Sequence, residues 1–424
     1  MLTISAILLV LTAACAYVNQ KFLRWPTTIG VMALALVVSL LIVILDWLGI
    51  TEPRSQERAL LSSIDFADVL MEGMLSVLLF AGALHVDLGR LLRLARPIGL
   101  LALVGTTLST LVIGVGCHWV LAAVSHPLPL LHCLLFGALI SPTDPVAVLG
   151  ILQSARVSRD LESTIAGESL INDGVGVVLF ALLLEMLHSG HPPTPTEGLQ
   201  LFLQEAGGGL VLGVAIGWFV NAVLASIDDY RVEVLITLAT VVGGYALANA
   251  LHTSGPLAMV AIGLLVGSQG RQLSMSTHTR ERLDLFWSML DEILNSVLFV
   301  LIGLEFAVIR YTPGSIRAAV AAVALSLLAR FLVVGVPTLV WPAWFQLPRR
   351  AGWLLTWSGV RGGISVALAL SLPPGPERDT ILTLTYSVVV FSILAQGLSI
   401  GWMARALGLT DGSIPAPTVP VARI

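Results

Sequence analysis

The sequence predicts an all-α polytopic membrane protein of about 13 transmembrane helices, built as two inverted six-helix repeats with discontinuous crossing helices. Three observations carry this expectation. Of the 424 residues, 56% are hydrophobic and 11% are charged, and the mean hydropathy is +0.93. A soluble domain has about 25% charged residues, so this chain lacks the polar groups to cover a water-facing surface. Apolar runs repeatedly reach the roughly 20 residues that a helix needs to cross a bilayer. Finally, two of these runs are interrupted, by SPTDP at 141–145 and by GVRGG at 359–363.

Taken in order, the first span covers 2–18. It has no cation ahead of its apolar run, the first being Lys21, so it reads as a retained span rather than a cleaved leader. Further spans are expected at 27–48, 66–86, 97–122, 129–153, 163–187, 202–226, 232–252, 255–269, 285–309, 315–341, 351–372 and 379–403. The 255–269 run is short and 51–65 is ambiguous, which leaves twelve to fourteen spans open. A polar hinge, HSGHPPTPTEGL, separates the sixth span from the seventh.

The expected organisation is a single transmembrane domain over 1–405, with halves at about 1–187 and 232–403 and a linker helix at about 202–226. A short tail, 406–424, follows. Arg54, Arg58, Arg310, Arg317 and Arg378 fall in loops on one side; the other loop cations fall on the opposite side. Positive loops stay in the cytoplasm. The expectation is therefore a multi-pass plasma (inner) membrane protein with its N-terminus outside and its C-terminus cytoplasmic.

Each interruption falls in the penultimate span of its half, and the topology runs those two spans in opposite directions. Matching Gly/Pro-interrupted segments in two halves are the sequence pointer to a transporter's site. Pro142 and Pro145 bracket Thr143 and Asp144, and a proline frees a backbone carbonyl one turn back. Freed carbonyls survive at membrane depth where they line a buried or watery cavity. Together with a hydroxyl and a carboxylate they form hard oxygen ligands for a small cation. The plainer alternative is a kinked helix that Asp144 caps.

The sixth span carries GESLINDG at 167–174. Each intramembrane carboxylate costs roughly 2.5–3.5 kcal/mol, so Glu168 and Asp173 need a reason to be there. Residues four apart share a helix face, which stacks Glu168 with Asn172 and Ser169 with Asp173. Gly167, Gly174 and Gly176 would let neighbouring helices approach closely. Arg330 lies in the middle of the eleventh span and needs an acid, because its guanidinium keeps its charge. Glu168 is the candidate partner, leaving Asp173 to titrate; spacing alone does not exclude the reverse pairing. Arg361 is the second intramembrane cation, placed either to neutralise Asp144 or to steady the broken helix.

Other polar residues carry less. Glu72 reads as a vestibule residue or a snorkelling one. Asp291, Glu292 and Asn295 sit near the start of the expected tenth span, as an acidic funnel or a solvated helix end. Glu305 reads as a boundary residue. His85 and His132 could tune a pH response, and Cys15, Cys117 and Cys133 read as core residues.

The segments SPTDPVAVLGIL, GESLINDGVGVVLF, LNSVLFVLIGLEF, LLARFLVV and TWSGVRGGISVALALSLP resemble spans of monovalent cation/proton antiporters of the NhaP/NHE type, the sodium/hydrogen exchanger family. The resemblance runs over nearly the whole chain. It implies a thirteen-span inverted-repeat fold with a core and a dimerisation domain, hence a homodimer in membrane lipid. It also implies exchange of Na+ (or Li+ or K+) for H+, with no cofactor beyond the transported ions. By the same resemblance, Asp173 binds cation and proton in turn, Thr143 and Ser169 add oxygens to the Na+ site, and Glu168 pairs with Arg330. Asn172 stands where electrogenic relatives carry a second Asp, which implies one-for-one exchange. This chain reads LLFAG, with Ala81, where many members read LLFEG; another acid such as Glu72 serves instead, or the site has fewer charges.

Rival functions find little support. The sequence has no TVGYG-type filter loop for a channel. It has no GxSxG or HExxH for an intramembrane enzyme, and so no expected catalytic residue. No long basic run gives nucleic acid a footprint.

Overall fold

The computed structural model describes residues 2–48, 73–124, 127–189, 195–273, 276–305 and 313–410. The described elements are helical: α1 (Leu2–Val18), α2 (Thr27–Trp47), α3 (Leu75–Leu84), α4 (Ala95–Ala123), α5 (Leu130–Ile140), α6 (Val146–Ser154) and α7 (Arg159–Ser189). They continue with α8 (Thr196–Leu224), α9 (Tyr230–Ala250), α10 (Gly255–Leu273), α11 (Thr277–Glu305), α12 (Gly314–Val340), α13 (Ala351–Trp357), α14 (Gly363–Leu370) and α15 (Pro376–Ala406). Among the described residues, nine of these are long and apolar enough to cross a membrane. The shorter α3, α5 and α10 are apolar as well.

The two interrupted spans are helix pairs. α5 stops at Ile140 and α6 starts after Pro145; α13 stops at Trp357 and α14 starts at Gly363. Proline cannot donate the bond that would continue α5, yet its fixed φ suits the start of α6. Large buried side chains such as Phe136, Phe299, Leu354 and Leu368 belong to one core that runs from α2 to α15 and includes both broken helices. A second core joins α3, α9 and α10 to the early turns of α11, with Phe80 on Trp287 at a ring separation of 4.6 Å.

Small residues let helices approach. Gly209, Gly213 and Gly217 form one stripe of α8, and a Cβ on Gly213 would press on the backbone of Ala258 in α10. Such spacing is the usual device of membrane helices, which gain no hydrophobic drive from each other. Outward-facing Val10, Trp119, Val211, Trp218, Leu235 and Val320 are each at least 65% exposed. That apolar belt is acceptable only against lipid.

Several expected boundaries move. The tenth span was expected to start near 285, but α11 begins at Thr277, so Asp291 stands halfway along its 29 residues. The amphipathic start, THTRERLDLF, hides a helix from a hydropathy reading while keeping helical spacing. Asp291, Glu292 and Asn295 are therefore mid-helix residues, which corrects the reading of a solvated helix end. α10 likewise runs past the expected 269 to Leu273. α7 extends to Ser189 and helix resumes at Pro195, so the described ends of the expected hinge are helical, while 190–194 lie outside the described residues. The 51–65 segment, Glu72 and the last fourteen residues lie outside the described residues.

Candidate functional site

The two breaks meet. The amide of Asp144 donates to the carbonyl of Val360 at 2.7 Å, so each interrupted chain satisfies a backbone group that the other's break exposes. Pro145 has no N–H for the carbonyl of Ser141, four residues back. The Nη1 of Arg361 donates to that carbonyl and, at 2.9 Å, to that of Pro142. A guanidinium thus sits at the C-terminal end of α5, where unsatisfied carbonyls concentrate negative charge. Of the two roles open to Arg361 in the sequence, bracing the broken helix is the one with a hydrogen-bonded geometry.

The second break has its own support. The amide of Arg361 donates to Ser392 Oγ at 2.6 Å, and Gln396 Nε2 donates to the carbonyl of Trp357 at 3.0 Å. Both side chains come from a π-helical turn of α15, Ser392–Gly397, a widening that often marks functional positions. Gly362 lies against the carboxylate of Asp144, and Gly359 lies beside the guanidinium of Arg330. A side chain at either position would occupy the space these charged groups fill.

α7 supplies the facing wall. Arg330 donates through Nη1 and Nη2 to the two oxygens of Glu168, both at 2.7 Å, with Glu168 0% and Arg330 5% exposed. Asn172 donates to Glu168 Oε1 at 2.7 Å and to Thr143 Oγ1 at 2.9 Å. The amide of Thr143 returns a bond to Asn172 Oδ1 at 3.2 Å, and the hydroxyls of Thr143 and Ser169 share one at 2.8 Å. A continuous chain, Arg330–Glu168–Asn172–Thr143–Ser169, therefore ties α12 through α7 to the first break. Each residue of this buried chain has a partner, although Arg330 Nε finds none among the described residues.

Asp173 stands one position beyond that chain and is 4% exposed. With Thr143, Asp144, Asn295, Gly362 and Ser365 it lines a cavity of about 50 Å³. A water needs only about 10–15 Å³ on such a measure, so there is room for a small cation with part of its hydration. Asp144, Glu168 and Arg361 all act electrostatically on Asp173. A larger apolar cavity of about 460 Å³ lies between α4, α7 and α8, and none of the sequence-selected site residues lines it.

Thus Thr143, Asp144, Glu168, Ser169, Asn172, Asp173, Arg330 and Arg361 come together. His85 is apart from them, bonded to the carbonyl of Ala81 at 2.7 Å and to Ser288 Oγ at 3.0 Å. Glu305 ends α11 half-buried. Cys15, Cys117 and Cys133 are buried free thiols.

Sequence reasoning missed Ser392 and Gln396, though two polar side chains four apart in FSILAQGL are a signal of a polar helix face. It also missed Glu233, which is 0% exposed, and whose oxygens find no hydrogen-bond partner among the described residues. Its position in the first turn of α9 disguised it as a helix-end acid.

Residues 7–406 match the family described as sodium/hydrogen exchanger, transmembrane. The chain is 49% identical over 411 residues to the Na(+)/H(+) antiporter NhaP of Pseudomonas aeruginosa, covering 96% of this chain and 97% of that one. It is 34% identical over 415 residues to NhaH of Halobacillus dabanensis, described as an Na(+)/H(+) antiporter, covering 96% and 98%. In fold it resembles the sodium proton antiporter MjNhaP1 of Methanocaldococcus jannaschii, with a TM-score of 0.73 at 19% identity over 96% of this chain and 98% of that one.

Proposed function

The chain belongs to the sodium/hydrogen exchanger family, a family of transporters rather than enzymes, and on that premise we propose that it exchanges Na+ (or Li+ or K+) for H+ by competition at Asp173. The observation that carries this reading is a division of labour within about a turn and a half of α7. Glu168 is committed to Arg330, while Asp173 faces a cavity with a Thr hydroxyl and a second carboxylate. Asp173 holds either a proton or the cation, with Thr143, Ser169 and Asp144 as the neighbouring oxygens. The empty anion is costly to carry through the membrane, so the site crosses only when filled. That condition couples the two ions and makes the transport alternating access rather than a channel. The transported ions are the cargo, and no cofactor enters.

The same reading covers the finer architecture. Two inverted halves, about 1–187 and 232–403, carry the two breaks around a linker at about 202–226, and the protein works as a homodimer in the plasma membrane. Its N-terminus lies outside and its C-terminus in the cytoplasm, a reading that the bias of the loop cations supports.

The test uses inverted membrane vesicles with a dye that reports ΔpH. Added Na+ should dequench the dye in vesicles carrying the parent protein, and Asp173→Asn should abolish the signal. An Asp173→Asn variant with near-parental dequenching would remove Asp173 from the mechanism.

A further inference from the structure

We infer that Ser365, in the first turn of α14, presents its hydroxyl to the cation held at Asp173 and sets which monovalent cation the site prefers. This rests on the exchange reading above and adds a specificity-determining residue from the second half of the chain.

A serine or threonine inside a helix commonly donates its hydroxyl proton to a carbonyl three or four residues back. Those nearby do so. Thr356 donates to the carbonyl of Gly352 at 2.8 Å, Ser371 to that of Leu368 at 2.9 Å and Ser387 to that of Thr383 at 2.7 Å. Ser365 does not, because of where the second break falls. α14 begins at Gly363, so the residues three and four back, Gly362 and Arg361, lie in the interruption. The carbonyl of Arg361 lies instead 3.5 Å from Ser392 Oγ in α15. Ser365 is 1% exposed and lines the cavity, and its hydroxyl makes no hydrogen bond among the described residues.

The other hydroxyl on the cavity wall is already engaged. Thr143 Oγ1 accepts from Asn172 and shares a bond with Ser169. Ser365 keeps both lone pairs and its proton for whatever occupies the cavity. A buried hydroxyl without a partner is unfavourable, so an occupant that binds it is favoured. Thr143 and Asp144 come from the first break and Asp173 from α7, whereas Ser365 comes from the second break, so a cation in this cavity meets oxygens from both halves. The two occupants use the extra oxygen differently. A proton needs only the carboxylate of Asp173, whereas a hard cation replaces its hydration shell with several oxygens. The pull of one oxygen on a cation weakens with distance, so Li+ and Na+ gain more from it than the larger K+. Ser365 thus favours cation over proton, and a small cation over a large one.

The test compares the parent, Ser365→Ala, Ser365→Cys and Ser365→Thr in reconstituted proteoliposomes, with Li+, Na+ and K+ each titrated against a ΔpH dye. Loss of one oxygen contact of ordinary hydrogen-bond strength should raise the half-saturating Na+ about fivefold in Ser365→Ala. The factor should fall from Li+ to Na+ to K+ among the cations that the parent exchanges. Ser365→Cys keeps the side-chain shape and replaces a hard oxygen with a soft sulfur, so it should match Ser365→Ala. Ser365→Thr keeps the hydroxyl and should hold the half-saturating Na+ within about twofold of the parent. At Na+ well below half-saturation, the pH dependence reports the proton affinity of Asp173, and it should be parental in every variant. An unchanged half-saturating Na+ in Ser365→Ala and Ser365→Cys overturns the inference. So does an equal rise for every cation exchanged, a shifted pH dependence at low Na+, or a failure of Ser365→Thr to hold the parental value. Failure of the exchange reading itself looks different: the parent would show no Na+-driven signal, or Asp173→Asn would keep it, and neither depends on residue 365.

Discussion

At the residue scale, Asn172 shows how a side chain's role can differ from what its position implies. The family resemblance presents it as a neutral stand-in for a second acid. In the structure it is a two-way bracket, donating to Glu168 and Thr143 and accepting from the Thr143 amide. An Asp at this position loses both donated bonds and sets a carboxylate 2.7 Å from an oxygen of Glu168. Leaving buried polar groups without partners costs about 1–3 kcal/mol each. Asn172→Asp should therefore lower the apparent unfolding temperature of the detergent-solubilised protein and weaken exchange, rather than convert it to a two-proton exchanger. Parental stability in a thermal-shift measurement would show that the bracket carries no load. The stacking of Glu168 with Asn172 and of Ser169 with Asp173 could be read from fourfold spacing alone. The bond from Asn172 to Thr143 could not, because it spans 29 residues of chain and depends on where the α5–α6 break settles.

At the element scale, the breaks themselves were legible because proline and glycine leave backbone signatures that no apolar context hides. What the sequence left open was how the exposed backbone groups are satisfied, since Arg361 could reach either a carboxylate or a carbonyl. The geometry resolves this through Pro145, whose missing N–H exposes the Ser141 carbonyl to Arg361. Span edges were harder to read. Amphipathic turns such as those at the start of α11 lower the mean hydropathy of a helix that is nonetheless continuous. The break also depends on a helix that stays narrow. Gly176 of α7 faces Pro142, and an added Cβ would collide with the Cγ of that ring and approach its Cδ at 3.0 Å. A proline ring has no alternative rotamer to retreat into, so the break itself must shift. Gly176→Ala should cut the maximal exchange rate at least tenfold in the vesicle assay. Gly243→Ala in α9, where nothing lies within 4 Å of the added Cβ, serves as the control and should exchange at the parental rate. Equal rates for the two variants would mean that the position of Pro142 does not matter to transport.

At the scale of the whole molecule, the question is how much charge moves per cycle. Candidate carriers are few. Glu168 and Arg330 form a buried pair with side chains 1% and 6% exposed, and breaking such a pair costs on the order of 3–5 kcal/mol, so it crosses as a neutral unit. Asn172 carries no charge, and Arg361 is held on the carbonyls of Ser141 and Pro142. On the proposed reading Asp173 changes its occupant, one proton for one monovalent cation, while Asp144 keeps its protonation state, so that no net charge would be transferred. A transferred charge would feel about 2.3 kcal/mol per 100 mV, which at 1.4 kcal/mol per tenfold shifts the equilibrium Na+ ratio about fiftyfold. The measurement is the Na+ ratio held by proteoliposomes at a fixed ΔpH, with the membrane potential clamped at zero and then at about 100 mV. The expected ratio is the same at both potentials and follows ΔpH one for one. A potential-dependent ratio would mean that a second proton travels with the first. Asp144, the other carboxylate on the cavity wall, would then be the residue to neutralise next, and Asp144→Asn should abolish the dependence on potential.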